Sequence, residues 1–292
     1  MISIESGVKM RHAFIITAYK DFEFIKKTVA VYLQEADCYI HVDKKVTIPA
    51  EFKQWVDNTE GVYVFSKYKI NWGSYKHISA ILYLMKQALK SGDYSYFHVI
   101  SANSFINRSM KEVIRFFEES GNKNFLEVID LDEDDKDRVI EPWYIYYHFL
   151  HLYDKRTKFG NNFDWYFCKI QKRLGIRRKI TYKYKGLVYC HLTKETVEYV
   201  LQYVKNNPRY LGNLKMCNIG EEFFFQNILM YSRFKDSIYP SHLFYTKWNE
   251  GGVAQFLTED DYEKIMKEKY LFVRKFGAGS EAVFARICDK IQ

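Results

Sequence analysis

Two adjacent glutamates, Glu221 and Glu222, have the type and the position needed for acid–base chemistry. They stand in the stretch IGEEFFFQNIL, at the predicted start of a helix. Neighbouring helical positions point about 100° apart, so at most one of the two carboxylates can face a cleft well. The helix dipole stabilises a first-turn carboxylate as the anion, the form that accepts a proton. Glu222 is therefore a candidate general base, with Gln226 one turn later placed to orient it; the alternative is an ordinary first-turn glutamate.

Two adjacent cations, Arg274 and Lys275, indicate an anion site. They stand in YLFVRKFG, flanked by apolar residues. Burying such cations is costly unless they meet an anion, and a diphosphate is a natural partner. At ~4 Å and an effective dielectric of about 20, each unit-charge contact contributes on the order of 4 kcal/mol before desolvation. The alternative is a pair of surface basic residues.

Three aspartates follow predicted strands. Asp43 comes directly after IHV, where a carboxylate can accept hydrogen bonds from a ribose diol or a uracil imide; the alternative is a turn-forming aspartate. Asp130 and Asp132 form an Asp-x-Asp pair, a pattern that can hold a divalent cation on a diphosphate through oxygen ligands. This pair lies in the acidic run DLDEDDKD, which favours a solvated loop instead.

The elements that must position these residues alternate between strands and helices. Short apolar runs predict strands at 12–18, 38–42, 62–65, 96–100, 125–129 and 187–192. Apolar residues at helical spacing predict helices at 22–33, 74–89, 194–205, 221–231 and 258–267, the last with a start signal at Thr258. This alternation predicts an α/β fold with a mostly parallel central sheet flanked by helices.

Ligands in such a fold bind beyond the carboxyl ends of the strands. The segments expected there are 17–20, 43–45, 101–104 and 130–132. Residues 141–185 are rich in Tyr, Trp and basic residues with weak periodicity, which predicts loops that build a binding surface. We expect residues 1–292 to form a single domain, because no repeat, low-complexity segment or clear linker interrupts the chain.

Charge and composition restrict the partners. The 44 Lys and Arg residues exceed the 36 Asp and Glu residues by 44 − 36 = 8, which favours anionic partners. No dense basic run of the nucleic-acid-binding kind is present. The most basic stretch, residues 169–185, is interpreted as a solvated face, with contact to a lipid phosphate or a bilayer as the second interpretation. Without HExxH, GxSxG, a P-loop or GxGxxG, the sequence disfavours proteases, hydrolases, kinases and dehydrogenases.

Compartment signals favour a cytoplasmic protein. The five cysteines are odd in number and lack CxxC spacing, which disfavours a disulfide scaffold and a zinc site. Residues 1–9 lack a signal-peptide pattern, and no run approaches ~18 apolar residues. We expect a bacterial cytoplasmic setting, with peripheral association at the inner face of the membrane.

Seven stretches occur in an order that resembles the core-2/I-branching β-1,6-N-acetylglucosaminyltransferase family, which also includes the peptide O-xylosyltransferases. They span residues 12 to 277 and read HAFIITAYK, CYIHVDKK, NWGSYKHISAILYLM, YFHVISANSFI, GLVYCHLTKETVEYV, IGEEFFFQNIL and TKWNEGG…LTEDDYEKI…YLFVRKFG. The resemblance implies a GT-A-type fold, with a Rossmann-like nucleotide-binding part at about 10–135 and an acceptor-binding, catalytic part at about 136–292.

The resemblance also implies an activity and its residues. It implies inverting transfer of a sugar from a UDP-sugar to a glycan, with no metal or other cofactor and no nucleic-acid partner. Glu222 matches the catalytic base. The positions matching donor-binding residues are Thr17, Ala18, Tyr19, Asp43, Trp72, Ser74, Arg274 and Lys275. Those expected to bind the acceptor are Ser101, Asn103, Tyr189 and Trp248.

The sequence departs from the family pattern at a few positions. Ser104 stands where the family has Asp, and Ile106 where it has Pro; Val188 replaces a carboxylate of the xylosyltransferases, and Phe244 an arginine. The donor sugar (GlcNAc, xylose or glucose) therefore stays open. Two other interpretations also stay open: a metal-dependent transferase that uses Asp130 and Asp132, and a carbohydrate-binding protein without activity.

Overall fold

The computed structural model describes residues 11–134, 139–267 and 269–291. The predictions made for residues 1–9, and the part of the acidic run at Asp135 and Asp137, lie outside the described residues. The strands are β1 (Arg11–Ala18), β2 (Ala36–Val42), β3 (Val62–Phe65), β4 (Tyr94–Ser101), β5 (Ser104–Ile106), β6 (Asn124–Leu126), β7 (Ile129–Asp130), β8 (Tyr184–Lys185), β9 (Cys190–Thr193), β10 (Ile238–Tyr239), β11 (Phe244–Thr246) and β12 (Phe272–Arg274).

The largest sheet has seven strands in the order β10-β6-β9-β4-β1-β2-β3. Strand β9 runs antiparallel to both of its neighbours, and the other paired strands of this sheet run parallel. The parallel register sets Thr17 of β1 opposite His41 of β2 and Ser101 of β4, so the carboxyl ends of these strands meet at one edge. A second sheet has the order β11-β12-β5, and β7 pairs with β8.

Helices cover both faces of the large sheet. They are α1 (Phe22–Tyr32), α2 (Ala50–Asp57), α3 (Lys76–Ser91), α4 (Met110–Glu119), α5 (Leu131–Asp134), α6 (Pro142–Ile145), α7 (Lys158–Arg173), α8 (Lys194–Asn206), α9 (Pro208–Leu214), α10 (Glu221–Leu229), α11 (Tyr262–Lys267) and α12 (Glu281–Ile291).

Two hydrophobic clusters, one on each face, hold these layers together. Phe14 and Ile16 of β1 pack in the cluster that includes α1, α4 and α12, while Ala13 and Ile15 pack in the cluster that includes α3, α8 and α10. Successive strand side chains point to opposite faces, so a strand buried on both faces must be apolar at nearly every position. This explains the continuous run HAFIITA, and it confirms the α/β sheet predicted from the sequence.

Three predicted elements differ from the structure. The strand predicted at 125–129 is split, because the chain leaves the large sheet after Leu126 and pairs again as β7 with β8. The strand predicted at 187–192 starts later, at Cys190. The predicted loop region 141–185 contains the 16-residue helix α7, whose pattern is obscured because many of its apolar side chains are exposed.

The start signal at Thr258 is confirmed. Thr258 and Asp261 form a capping box over a 3₁₀ turn, Glu259–Asp261, which leads directly into α11. None of the described helices is both long enough and apolar enough to cross a bilayer.

Candidate active site

A cleft opens at the carboxyl edge of the large sheet, between the ends of β1 and β4. It is lined by Thr17, Tyr19, Lys20, Asp21, Ser101, Ala102 and Asn103. The two strand ends are joined by a hydrogen bond from the Ala102 N–H to the Thr17 carbonyl, at 3.0 Å. Two of the four segments expected at this edge, 17–20 and 101–104, therefore line the cleft, and Tyr19 lies half-exposed on its rim.

The basic pair borders this cleft. Strand β12 runs antiparallel to β5, which sets Arg274 opposite Ser104, and the Phe276 N–H donates to the Asn103 carbonyl at 3.0 Å. Arg274 is buried, with its guanidinium 4.6 Å from the centre of the Tyr189 ring. Its Nε atom is buried and has no hydrogen-bond partner among the described residues. A buried donor without an acceptor is the feature that an incoming anion would complete.

Lys275 adds to the positive charge beside Arg274. Its Nζ atom lies 4.7 Å from the centre of the Phe256 ring. Burial lowers the pKa of Lys275, and the neighbouring charges of Arg274 and Lys20 lower it further. Within the described residues neither member of the pair forms a salt bridge with a carboxylate. The predicted cost of burying these cations is thus met only by ring contacts and not by a carboxylate within the described chain.

Asp43 lies at the same edge. The Asp43 N–H donates to the Ala18 carbonyl at 2.9 Å, next to the end of β1. Its Oδ1 atom accepts from the N–H groups of Lys45 and Ile70, at 2.9 and 3.3 Å, so this oxygen forms the turn that the alternative interpretation described. Oδ2 lies 3.6 Å from Lys45 Nζ. The side chain is largely buried and holds two loops together, which places the 43–45 segment beside Ala18.

Trp72 and Ser74, which form a W-x-S element in the stretch NWGSYK and match donor-binding positions, differ in exposure. Trp72 is half-exposed, while Ser74 is buried and its hydroxyl has no hydrogen-bond partner among the described residues. Asn71, directly before Trp72, accepts a hydrogen bond from Lys45 Nζ at 3.1 Å. This contact connects the element to the Asp43 loop.

Glu222, the predicted base, forms a close ion pair with Lys185. Its Oε2 atom lies 2.7 Å from Lys185 Nζ, and its carbonyl accepts from the Gly186 N–H at 2.9 Å. Burial raises the pKa of Glu222, with further increases from Glu221 and Glu127, while Lys185 opposes the rise. The expectation that Gln226 orients Glu222 is wrong. The Gln226 amide instead donates to the carbonyls of Glu127 and Leu187, because these backbone acceptors face it.

Glu221 is connected to the edge of the cleft by way of His77. Its Oε1 atom lies 3.4 Å from His77 Nδ1, and His77 Nε2 lies 3.0 Å from the Thr17 hydroxyl. Its Oε2 atom is buried and without a hydrogen-bond partner among the described residues. The two glutamates therefore diverge as their helix positions require, one toward Thr17 and the other toward Lys185.

Glu127 and His242 lie between Glu222 and the basic pair. Glu127 Oε1 is 3.7 Å from His242 Nε2, and its Oε2 accepts from the Leu187 N–H at 2.8 Å. Burial lowers the pKa of His242; Glu127 opposes this effect and Arg274 reinforces it. Sequence reasoning missed Glu127, His242, Lys185 and His77. No local signal was available for them. Glu127 lies inside a predicted strand and His77 inside a predicted helix. Lys185 and His242 lie outside every predicted strand and helix.

The predicted acceptor residues are dispersed around these groups. Ser101 donates to Asn103 Oδ1 at 2.7 Å inside the cleft, and Tyr189 lies under Arg274. Trp248 is half-exposed and pairs with Ala254 across a loop. After this loop, the Leu257 N–H donates to the Lys275 carbonyl at 2.9 Å. Among the described residues the Trp248 ring makes no ring contact with the other predicted site residues.

Asp130 and Asp132 share a lysine. Lys183 Nζ lies 3.3 Å from an Asp130 oxygen and 3.1 Å from an Asp132 oxygen, and hydrogen bonds to the two carboxylates raise the pKa of Lys183. The Asp132 N–H donates to Asp130 Oδ1 at 3.0 Å. Lys183 thus contacts both of the carboxylates that the alternative interpretation assigns to a metal.

A different trio, His148, Asp164 and Cys168, has the spacing of metal ligands within the described chain. His148 Nδ1 lies 2.9 Å from Asp164 Oδ1, and Nε2 lies 3.1 Å from the Pro142 carbonyl. Lys155 Nζ lies 3.1 Å from the other Asp164 oxygen. With both ring nitrogens and the carboxylate engaged, the trio fits a hydrogen-bonded ion cluster better than a metal site.

At the positions that depart from the family pattern, the side chains are buried in the protein. Ser104 is buried and its hydroxyl lies 2.9 Å from that of Ser101. Phe244 is buried among aromatic rings, 5.1 Å from Tyr189 and 5.1 Å from Phe272 between ring centres. Val188 is buried as well.

Residues 12–270 match the family model described as "Branch: Core-2/I-Branching enzyme". The chain belongs to this family of glycosyltransferases, and its fold is of the GT-A-type α/β class, as the sequence predicted. No curated protein shows a significant match to this chain.

The chain also shows weak similarity to solved structures. A structure titled "Crystal structure of S. aureus TarS 1-349 in complex with UDP-GlcNAc" is 15% identical, with a TM-score of 0.32, over 40% of this chain and 34% of that one. The synthase of 4-diphosphocytidyl-2C-methyl-D-erythritol from Anaerococcus prevotii is 9% identical, with a TM-score of 0.36, over 68% of this chain and 76% of that one. The chain thus spans about a third of the TarS structure that it matches.

Proposed function

We propose that this protein is an inverting glycosyltransferase that moves a sugar from a UDP-sugar to a hydroxyl of a glycan without a bound metal. The observation that carries the proposal is the position of Arg274 and Lys275. They border the cleft at the sheet's carboxyl edge and have no carboxylate partner among the described residues. A diphosphate in the cleft would supply the missing negative charge.

The donor is assigned to the first part of the chain, about residues 10–135. Thr17 and Tyr19 line the cleft, and Ala18 lies between them in the chain. Asp43 bonds to Ala18. These positions support the proposal that the four residues bind the nucleotide. Trp72 offers an exposed aromatic face, and Ser74 a hydroxyl without a partner within the described chain.

The acceptor and the chemistry are assigned to the second part, about residues 136–292, together with Ser101 and Asn103. Tyr189 lies against Arg274, and Trp248 lies on the loop whose Leu257 N–H bonds to the Lys275 carbonyl, which supports a role next to the transferred sugar. The acceptor is proposed to be a growing, lipid-linked bacterial surface glycan, and the protein to work in the cytoplasm at the membrane's inner face.

The proposed reaction is a single displacement. Glu222 removes the proton of an acceptor hydroxyl while that oxygen bonds to the donor's anomeric carbon. The bond from this carbon to the diphosphate breaks at the opposite face, and Arg274 and Lys275 stabilise the charge that develops on UDP. An α-linked donor would give a β-linked product. The raised pKa of Glu222 supports its role, because a more basic carboxylate is a better proton acceptor near neutral pH.

Release of UDP from a panel of UDP-GlcNAc, UDP-xylose and UDP-glucose, with and without EDTA, tests this function. We expect one donor to be turned over and EDTA to leave the rate unchanged. Glu222→Gln should keep UDP affinity and lose about 100- to 10,000-fold in rate. Glu195→Gln is the matched control, because Glu195 is an exposed first-turn glutamate of α8 paired with Arg233.

Two results would favour the alternatives. Loss of activity in EDTA with recovery in Mn²⁺ would show a metal-dependent transferase. Binding of UDP without release from any donor would show a carbohydrate-binding protein on this scaffold.

A further inference from the structure

Helix α7 presents an apolar stripe to the outside of the molecule. Phe159, Phe163, Tyr166 and Ile170 are all exposed, and Phe159 is 73% exposed. Their spacing of three and four residues places them on one side of the helix. Leu174, directly after the helix and 65% exposed, extends the stripe, which is then about 22 Å long. Within the described chain this side of α7 has no covering element.

The same helix carries a row of cations beside the stripe. Lys158, Lys169 and Arg173 are exposed and, at about 100° per residue, lie along one edge of the apolar side. Lys169 Nζ lies 3.6 Å from the centre of the exposed Trp165 ring. The acidic residue of α7, Asp164, is buried, so the exposed side of the helix is apolar and positively charged without a carboxylate.

The stripe is held outward by polar contacts on the buried side. Asp164 Oδ1 accepts from the Tyr153 hydroxyl at 2.7 Å and pairs with His148. Gln171 bonds to both backbone groups of Tyr147, its Oε1 accepting at 2.8 Å and its Nε2 donating at 3.0 Å. These contacts fix the rotation of α7, so turning its apolar side into the protein would break buried hydrogen bonds.

We propose that this face of α7 docks the protein onto an anionic lipid bilayer. Aromatic and aliphatic side chains bordered by lysine and arginine are the features of helices that lie in the bilayer interface. Rings such as Trp165 and Tyr166 favour the headgroup level, while the cations meet anionic headgroups. The charge of the face selects an anionic surface as its partner. This docking deepens the proposal that the protein works at the membrane's inner face, but it does not depend on the residues assigned to catalysis.

The face lies next to the loop that reaches the candidate site. Asp154, shortly before α7, has an oxygen 3.9 Å from Lys45 Nζ, in the loop that holds Asp43. Leu150 accepts a hydrogen bond from the Asn71 amide at 3.0 Å, beside Trp72. A bilayer at α7 would therefore lie one loop away from the donor-side residues.

Vesicle flotation with the full chain tests the docking. Vesicles of phosphatidylcholine with about one third phosphatidylglycerol should carry the protein, and vesicles of phosphatidylcholine alone should carry much less. Each basic side chain at an anionic surface contributes about fivefold in binding. Lys169→Glu with Arg173→Glu should therefore weaken binding at least about 25-fold. Phe159→Ser with Ile170→Ser should also abolish flotation; these positions are exposed, so the variants are expected to fold.

Control variants change exposed charged or apolar side chains elsewhere on the surface. Lys205→Glu with Arg209→Glu, at exposed positions of α8 and α9, and Tyr231→Ser, at a 68% exposed tyrosine, should leave flotation unchanged. Equal loss in these controls, or no binding by the unaltered protein, would overturn the proposal. A dimer in light scattering that Phe159→Ser with Ile170→Ser separates, without vesicle binding, would show that a second copy covers this face instead.

Discussion

The carboxylate of Glu222 and the ammonium group of Lys185 stand 2.7 Å apart, at the point where α10 meets β8. Glu222 is buried enough for its pKa to rise, and Lys185 limits this rise. If Glu222 removes the proton of the acceptor hydroxyl, Lys185 helps by keeping a larger share of the Glu222 side chains in the anionic form near neutral pH. Lys185 would then act as a positioning and tuning residue, one that motif spacing did not reveal.

The pH profile should report this tuning. Removing the cation in Lys185→Met should raise the pKa of Glu222 further and move the acidic limb of kcat/KM to higher pH. Removing a neighbouring negative charge in Glu127→Gln should lower that pKa and move the limb to lower pH. The measurement is the rate of UDP release across acidic to neutral pH for both variants.

The opposite signs of these two changes are the control. A structural role alone would lower the rate at all pH values without moving the limb. Shifts in the same direction for both variants would contradict the assignment of Glu222 as the titrating base.

Lys275→Met should weaken both UDP binding and transfer. A positioned donor or cation that meets developing charge is worth about 100- to 1,000-fold in kcat, and we expect a loss of that order. Lys267→Met, at an exposed lysine shortly before the basic pair, is the control and should keep its activity. The measurements are UDP affinity by calorimetry and UDP release; unchanged values for Lys275→Met would remove Lys275 from the mechanism.

Asp130→Asn combined with Asp132→Asn should leave transfer within about twofold of the unaltered protein. The two carboxylates hold Lys183, and the double variant removes this exposed ion pair, an interaction of small energetic value. Activity is measured with EDTA and with added Mn²⁺. A large loss in the variant, together with Mn²⁺ dependence of the unaltered protein, would instead support the metal-dependent alternative.

Stability should depend on pH through the buried pair of His148 and Asp164. Burial opposes the charged form of His148, but Asp164 and Cys168 outweigh it and raise the pKa of His148 to about 9. Burial also opposes the charged form of Asp164, yet His148, Tyr153 and Lys155 lower its pKa to about 2. The contribution of His148 is complete below its unfolded pKa, about 6.5, and is lost as the pH rises through 9.

Asp164 has the opposite sign. Its contribution is complete above its unfolded pKa, about 3.9, and is lost as the pH falls through 2. The free energy of unfolding should therefore decrease between pH 6.5 and 9 through His148. In His148→Gln this decrease should be smaller, as urea titrations across that interval would measure. An equal decrease in the variant would show that other groups cause the pH dependence.

Much of the fold was accessible from the sequence because local patterns determine it. The run HAFIITA is apolar at nearly every position, as a strand covered on both faces must be, and β1 forms there. The helical spacing at 74–89 and the start signal at Thr258 also correspond to elements of the structure. The family resemblance identified the GT-A-type fold through the order of such segments.

Only the tertiary structure decides which side chains of the candidate site contact one another. The pairing of β12 with β5 brings Arg274 beside Ser104, across 170 positions of sequence, and no local pattern encodes that register. Lys185 and Glu127 reach Glu222 because β8 and the end of β6 pass near the start of α10. The exposure of α7 depends likewise on what the rest of the chain leaves uncovered. Periodicity reports which side chains are apolar, whereas burial and ion pairing depend on contacts between distant segments.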